Sequence, residues 1–141
     1  KGIANAASPG SYLAMAAGEV RVLTVRQPWA WAIIQGGKDV ENRSWPAKHR
    51  GPLLIHAGNA FERDGYETVK RLATVPPPPA NDFVRRAIVG VVELVDCVQD
   101  SDSEWAVAGQ WHWCLSSPRK VGAVPCPGKL GLWRPPASVS L

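Results

Sequence analysis

The sequence predicts an α+β domain: a mixed sheet of about six strands, curled into a small barrel and carrying two or three helices. Three observations predict it. Runs rich in β-branched and aromatic residues recur along the chain, most clearly in Ala87–Val98. The helical patterns that interrupt them do not alternate with the strands, as a doubly wound parallel sheet would require. Finally, 141 residues, 45% of them hydrophobic and 20% charged, suffice for one sizeable core.

The elements follow in order. Lys1–Ala14 is small and weakly patterned, and Met15-Ala-Ala-Gly-Glu has the composition of a native start. The first fourteen residues are therefore expected to be a linker or a remnant foreign to the domain, which would occupy 15–141. Val20–Val25 alternates and reads as a strand. Pro28 suits the start of a helix, Trp29 to Ile34 run without a polar break, and Gly36-Gly37 supply the stop. Two turns of helix are not stable alone and must lean on a sheet. Asp39–Ser44 is an extended polar run in which Glu41, Arg43 and Trp45 share a face. Pro52–Ala57 (PLLIHA) is a buried strand. Asn59–Ala73 carries a rough apolar stripe of Phe61, Tyr66, Val69 and Leu72, with Asn59 as cap and Gly65 as a weak point. Val75–Ala80 holds four consecutive prolines, a spacer. Asp82–Arg86 is expected to make a short helical turn. Ala87–Val98 is a strand with Gly90 as a bulge or bend. Val107–Ser116, Val121–Val124 and Leu130–Trp133 complete the sheet. Leu54, Ile55, Ile88, Val89, Val91, Val92 and Leu94 form the expected core.

Several function classes are disfavoured at this level. No apolar run approaches the roughly 20 residues that span a bilayer, and no charged-then-apolar leader appears in the sequence as it stands. Cys97, Cys114 and Cys126 are odd in number and lack CxxC spacing, which fits reduced thiols in a cytoplasmic protein. His112, Cys114 and Cys126 do not have the spacing of zinc ligands. Nucleotide-binding glycine loops and a GxSxG elbow are missing, so no cofactor is expected. The net charge is +4, and it is unevenly placed. Arg21, Arg26, Lys38, Arg43, Lys48 and Arg50 crowd one segment; Arg119, Lys120, Lys129 and Arg134 crowd another. Glu93, Asp96, Asp100, Asp102 and Glu104 lie between them. If the basic segments meet, they form a face suited to phosphates; otherwise the charges are a solvated surface.

The candidate chemistry concentrates in Arg26–Gly51, which holds three of the seven tryptophans and five of the sixteen Lys/Arg residues. Trp29 and Trp31 suit packing, whereas Trp45, at the edge of a basic loop, is placed equally well to stack on a base. Lys38 and Glu41 are either a surface ion pair or a catalytic pair of lysine and orienting carboxylate. Arg43 suits a forked contact to phosphate or a guanine edge, or a salt bridge to Glu41 or Asp39. His49 beside Arg50 is a candidate general base. His56 is expected to face a neighbouring strand, and His112 has no evident role.

Gln27-Pro28-Trp29-Ala30, Gly37-Lys38, Glu41, Arg43-Ser44-Trp45 and His49-Arg50-Gly51 together resemble the ASCH (activating signal cointegrator homology) domain. The resemblance is sharpest over residues 23–58. It implies a PUA-like β-barrel. One branch of that family is a small amidohydrolase acting on N4-acetylcytidine, with a Gly-x-Lys pattern, a threonine three residues on and an arginine two further. Lys38 and Arg43 match the lysine and arginine, but Glu41 stands at the threonine position. Other members are described as ribonucleases, and the family name comes from a transcription coactivator.

The expected function is therefore binding of RNA or single-stranded DNA by a monomeric module. Gln27, Trp29, Lys38, Arg43, Ser44, Trp45, Lys48, His49 and Arg50 would line the cleft. Basic groups would hold phosphates, Arg43 and Gln27 would bond base edges, and Trp45 would stack. The alternatives are an amidohydrolase using Lys38 and Glu41, a weak ribonuclease, and a protein-interaction module.

Overall fold

The computed structural model describes residues 20–137; the expectations for Lys1–Ala14 and Met15 lie outside them. The elements are β1 (Arg21–Gln27), α1 (Trp29–Gln35), β2 (Val40–Arg43), β3 (Gly51–Phe61), α2 (Arg63–Leu72), a 3-10 turn (Ala80–Asp82), β4 (Ala87–Val98), β5 (Trp111–Pro125) and β6 (Leu132–Trp133). The six strands form one mixed sheet in the order β2-β5-β4-β3-β1-β6. β1 runs parallel to β3, and the other neighbours are antiparallel. The α+β class and the strand count agree with the sequence. Among the described residues the hydrogen-bonded ladder does not close into the expected barrel: β2 and β6 are its ends.

Both faces of β3 are covered, which is why PLLIHA lacks polar alternation. Leu53 and Ile55 join a core with Leu23, Ala30, Ile33, Val92, Leu94 and Trp113, while Leu54 packs with Val22, Ile88, Val91 and Trp133 on the other side. The expected core is buried except for Val89, which is half-buried. Gly90 is demanded by packing: a Cβ there would lie 2.5 Å from Ile34 Cδ1 and 2.7 Å from the Arg119 carbonyl. The β4–β5 register also shifts beside it, between Ile88 and Gly90.

Three elements differ from expectation. The second helix begins at Arg63 rather than Asn59, because β3 continues as far as Phe61, which pairs with Gln27. Asn59 is then no cap; its side-chain oxygen accepts from Arg86 Nε at 3.1 Å. The helical turn precedes the expected Asp82–Arg86. Two expected strands are one, since β5 runs through Pro118 with repeated register shifts against β4. Gly65, the weak point of α2, has a packing cause: a Cβ there would lie 2.5 Å from Trp29 Cζ2.

Candidate functional site

β2 is short and polar, and it sits at one end of the ladder near β1, with which it shares no backbone pairing. Between them opens a cleft of about 940 Å³, at the upper end of the roughly 300–1,000 Å³ of small-molecule pockets. β1 contributes Thr24 and Arg26, β2 contributes Glu41 to Arg43, and α2 contributes Thr68 and Arg71; the Glu104–Gln110 loop and the Lys129–Gly131 loop form the remaining walls.

The floor is an ionic chain. Glu41 accepts from Lys38 Nζ at 3.1 Å on one oxygen and from Arg43 Nε at 2.9 Å on the other. The Lys38 side chain is 3% exposed and that of Glu41 9%, so this is a buried pair, not the surface pair expected as the plainer alternative. Lys38 also donates to the Val40 carbonyl and lies 5.6 Å from the centroid of the Trp29 ring. The three ammonium donors thus have three partners around them. Arg43 further donates through an Nη to the Thr24 carbonyl at 3.0 Å, tying β2 to β1. Asn42 bonds outward, from Nδ2 to the Trp105 carbonyl at 2.9 Å and on Oδ1 from the Val107 amide at 2.8 Å, holding the 104–110 loop. The same loop is fixed by His112, whose Nδ1 accepts from the Ser101 amide and whose Nε2 donates to the Val107 carbonyl. That is the role the sequence did not disclose.

The aromatic walls are Trp29, Trp45 and Trp105. Trp29 donates to Glu62 Oε1 at 3.1 Å, and Trp45 packs edge-on against Trp113 with centroids 4.8 Å apart. Both are half-buried and keep surface on the cleft. Five cations line it, Arg26, Lys38, Arg43, Arg71 and Lys129, against three carboxylates, Glu41, Glu62 and Glu104. Arg26 is 3.4 Å from Glu62. Arg71 and Lys129 are exposed at the rim.

The structure thus brings together Trp29, Lys38, Glu41, Arg43, Ser44 and Trp45, and leaves out the other expected residues. Gln27 is 2% exposed and spent on the backbone: Nε2 donates to the Val84 carbonyl and Oε1 accepts from the Trp31 amide, capping α1. Lys48, His49 and Arg50 do not border the cleft. His49 Nε2 donates to the Pro52 carbonyl at 2.8 Å, and Arg50 donates to the Ala47 and His49 carbonyls and lies 4.0 Å from Asp96. Of the two basic segments, the first sends Arg26, Lys38 and Arg43 to the cleft and the second Lys129. Arg71 was missed, although Thr68, Arg71 and Leu72 have the spacing of one helical face.

Two of the three thiols hold their protons above the ordinary thiol range. Burial first, then the Asp96 carboxylate, pushes the Cys114 thiol up, and burial pushes up that of Cys126. Among the described residues, no group of three or more His, Cys, Asp or Glu side chains could hold a metal ion.

The family whose model matches this chain is described as the ASCH domain, and the match covers residues 23–125. Activating signal cointegrator 1 of Homo sapiens is 31% identical over 133 positions, spanning 79% of this chain and 22% of that protein. Activating signal cointegrator 1 of Mus musculus is 29% identical over 134 positions, with the same two spans. The chain therefore corresponds to about a fifth of the length of these relatives.

Proposed function

Because the chain belongs to the ASCH domain family, we propose that it is a nucleic-acid-binding module whose cleft receives RNA or single-stranded DNA. The observation that carries this reading is the cleft's combination of two half-buried indoles, Trp29 and Trp45, with five cations against three carboxylates. Indole faces accept any base, and exposed rim cations suit phosphates. The buried chain Lys38–Glu41–Arg43 serves as scaffold, so phosphate contact falls to Arg71, Lys129 and Arg26. Reduced cysteines would suit an intracellular setting. The relatives' name, a cointegrator, favours a second reading, in which the domain also docks a protein partner. Titration of a labelled single-stranded oligonucleotide at three salt concentrations tests the first reading. Salt-sensitive binding is expected, and failure to bind at low salt would refute it.

A further inference from the structure

A hydrophobic side chain on a folded surface ordinarily lies partly against its neighbours, and a scattered few need no explanation. Leu130 is different in degree and in place. It is 98% exposed, at the tip of the loop that leads into β6. It also stands between two cavities. On one side lies the cleft. On the other lies a second recess of about 760 Å³, walled by Gly58, Asn59, Arg86 and Pro125 among others. Thr24, Lys129 and Leu130 line both.

The feet of this loop are fastened. The Cys126 carbonyl accepts from His56 Nε2 at 2.7 Å and its amide donates to the Arg86 carbonyl at 3.1 Å. Gly128 lies so close to β1 and β3 that a Cβ would be 2.8 Å from Thr24 Oγ1 and 2.9 Å from His56 Cε1. Gly131 adopts φ +68°, a left-handed turn that favours glycine, and Leu132 then pairs with Leu23. The backbone on both sides of Leu130 is thereby committed, and the leucine is held outward beside a cation, Lys129.

We infer that Leu130 is a wedge that enters between two consecutive bases of a bound single strand, turning one base into the cleft and its neighbour into the second recess, with Lys129 at the phosphate joining them. The inference rests on the nucleic-acid reading of the cleft. Apolar side chains inserted at base steps unstack them, and the cost is recovered in the contacts the parted bases make. Here the recesses offer those contacts: indoles on the cleft side, and the exposed Arg86 beside apolar walls on the other.

The test uses a short single-stranded oligodeoxyadenylate containing one 2-aminopurine, whose fluorescence rises when it is unstacked. Binding to the wild-type protein should raise the emission severalfold when the 2-aminopurine enters the second recess, which no indole lines; a probe stacked on the cleft's indoles stays quenched. Leu130→Ala should abolish most of that rise and weaken binding about tenfold, the loss expected on removing a leucine's buried apolar surface. Leu130→Phe should retain the rise. A side chain this exposed is not needed for folding, and an unchanged amide spectrum of Leu130→Ala will confirm it. Tight binding by the wild type with unchanged emission, or a Leu130→Ala protein indistinguishable from wild type, would overturn the wedge and leave the cleft standing. No binding of the oligonucleotide at low salt would remove both.

Discussion

Arg43 on β2 donates to the Thr24 carbonyl on β1 across 3.0 Å, joining two strands between which no backbone ladder runs. The sheet that does not close by main-chain pairing is thus bridged at this point by a side chain. The arginine most suited to reading a base is already committed to Thr24 and Glu41. Arg43→Ala should therefore lower stability by about 2 kcal/mol, the cost of leaving buried partners unpaired. Arg43→Lys should recover only part, since an ammonium cannot reproduce the forked contact. Urea denaturation of the two variants checks this; a loss of base preference at unchanged stability would contradict it.

Glu41 is the hinge of the ionic chain. Glu41→Gln leaves Lys38 buried without a carboxylate, and removing one partner of a buried pair costs about 3–5 kcal/mol. The expected result is a large drop in denaturation midpoint, larger than that for Glu104→Gln at the exposed rim. Because Lys38 is held by Val40, Glu41 and Trp29, little turnover of N4-acetylcytidine is expected from the wild type. Rapid Lys38-dependent release of acetate would overturn the scaffold role.

Phosphate contacts and base contacts separate by salt. Arg71→Ala and Lys129→Ala should each weaken oligonucleotide binding and flatten the slope of log K against log salt by about 0.7, one released counterion on a single strand. Trp45→Ala should leave the slope in place while affinity falls by about 1–3 kcal/mol. Lys48→Ala and Arg50→Ala, which alter residues outside the cleft, should match wild type. Equal losses from Lys48→Ala and Lys129→Ala would place the site elsewhere.

Val92 is 2% exposed in the main core. Val92→Asp puts a charge there without a partner and should unfold the domain. A well-dispersed amide spectrum from this variant would show that β4 is packed otherwise.

The raised Cys114 and Cys126 thiols make a pH prediction. The folded protein holds these protons to higher pH than the unfolded chain, so stability falls as pH rises from the ordinary thiol value of about 8.5 toward the raised ones. Alkylation by iodoacetamide near pH 8 should accordingly be slower in the native protein than in urea. Native rates equal to those of the unfolded chain would contradict the burial of these sulfurs.

The strands were legible because β-branched runs and buried periodicity are local properties of the chain; β4 appears with the expected ends, Ala87 and Val98. The site was legible only where neighbours in sequence are neighbours in space, as in Lys38, Glu41 and Arg43. Arg71, Lys129 and Trp105 reach the cleft from distant elements, and nothing local marks them. Gln27 misled for the opposite reason: its polar side chain is matched by the Val84 carbonyl, 57 residues away. The start of α2 was misplaced because Asn59 has the chemistry of a cap, while the ladder with β1 decides where the strand ends.

The two ends of the sheet carry a consequence for behaviour in concentrated solution. An unpaired strand edge is a template on which another chain can add itself, and long flat apolar edges invite aggregation. Here the terminal strands are four and two residues long. The longer one turns Glu41 and Arg43 toward the cleft, and the shorter one ends beside Arg134 and two prolines. β2 pairs with β5 only at Trp111–Cys114, however, so beyond that point the outer edge of β5 toward Pro125 carries no strand among the described residues, and Pro118, Arg119 and Lys120 are what blunts it. A second copy that adds itself to the sheet is therefore expected along that stretch of β5, which does not line the cleft, so the cleft stays free for other molecules.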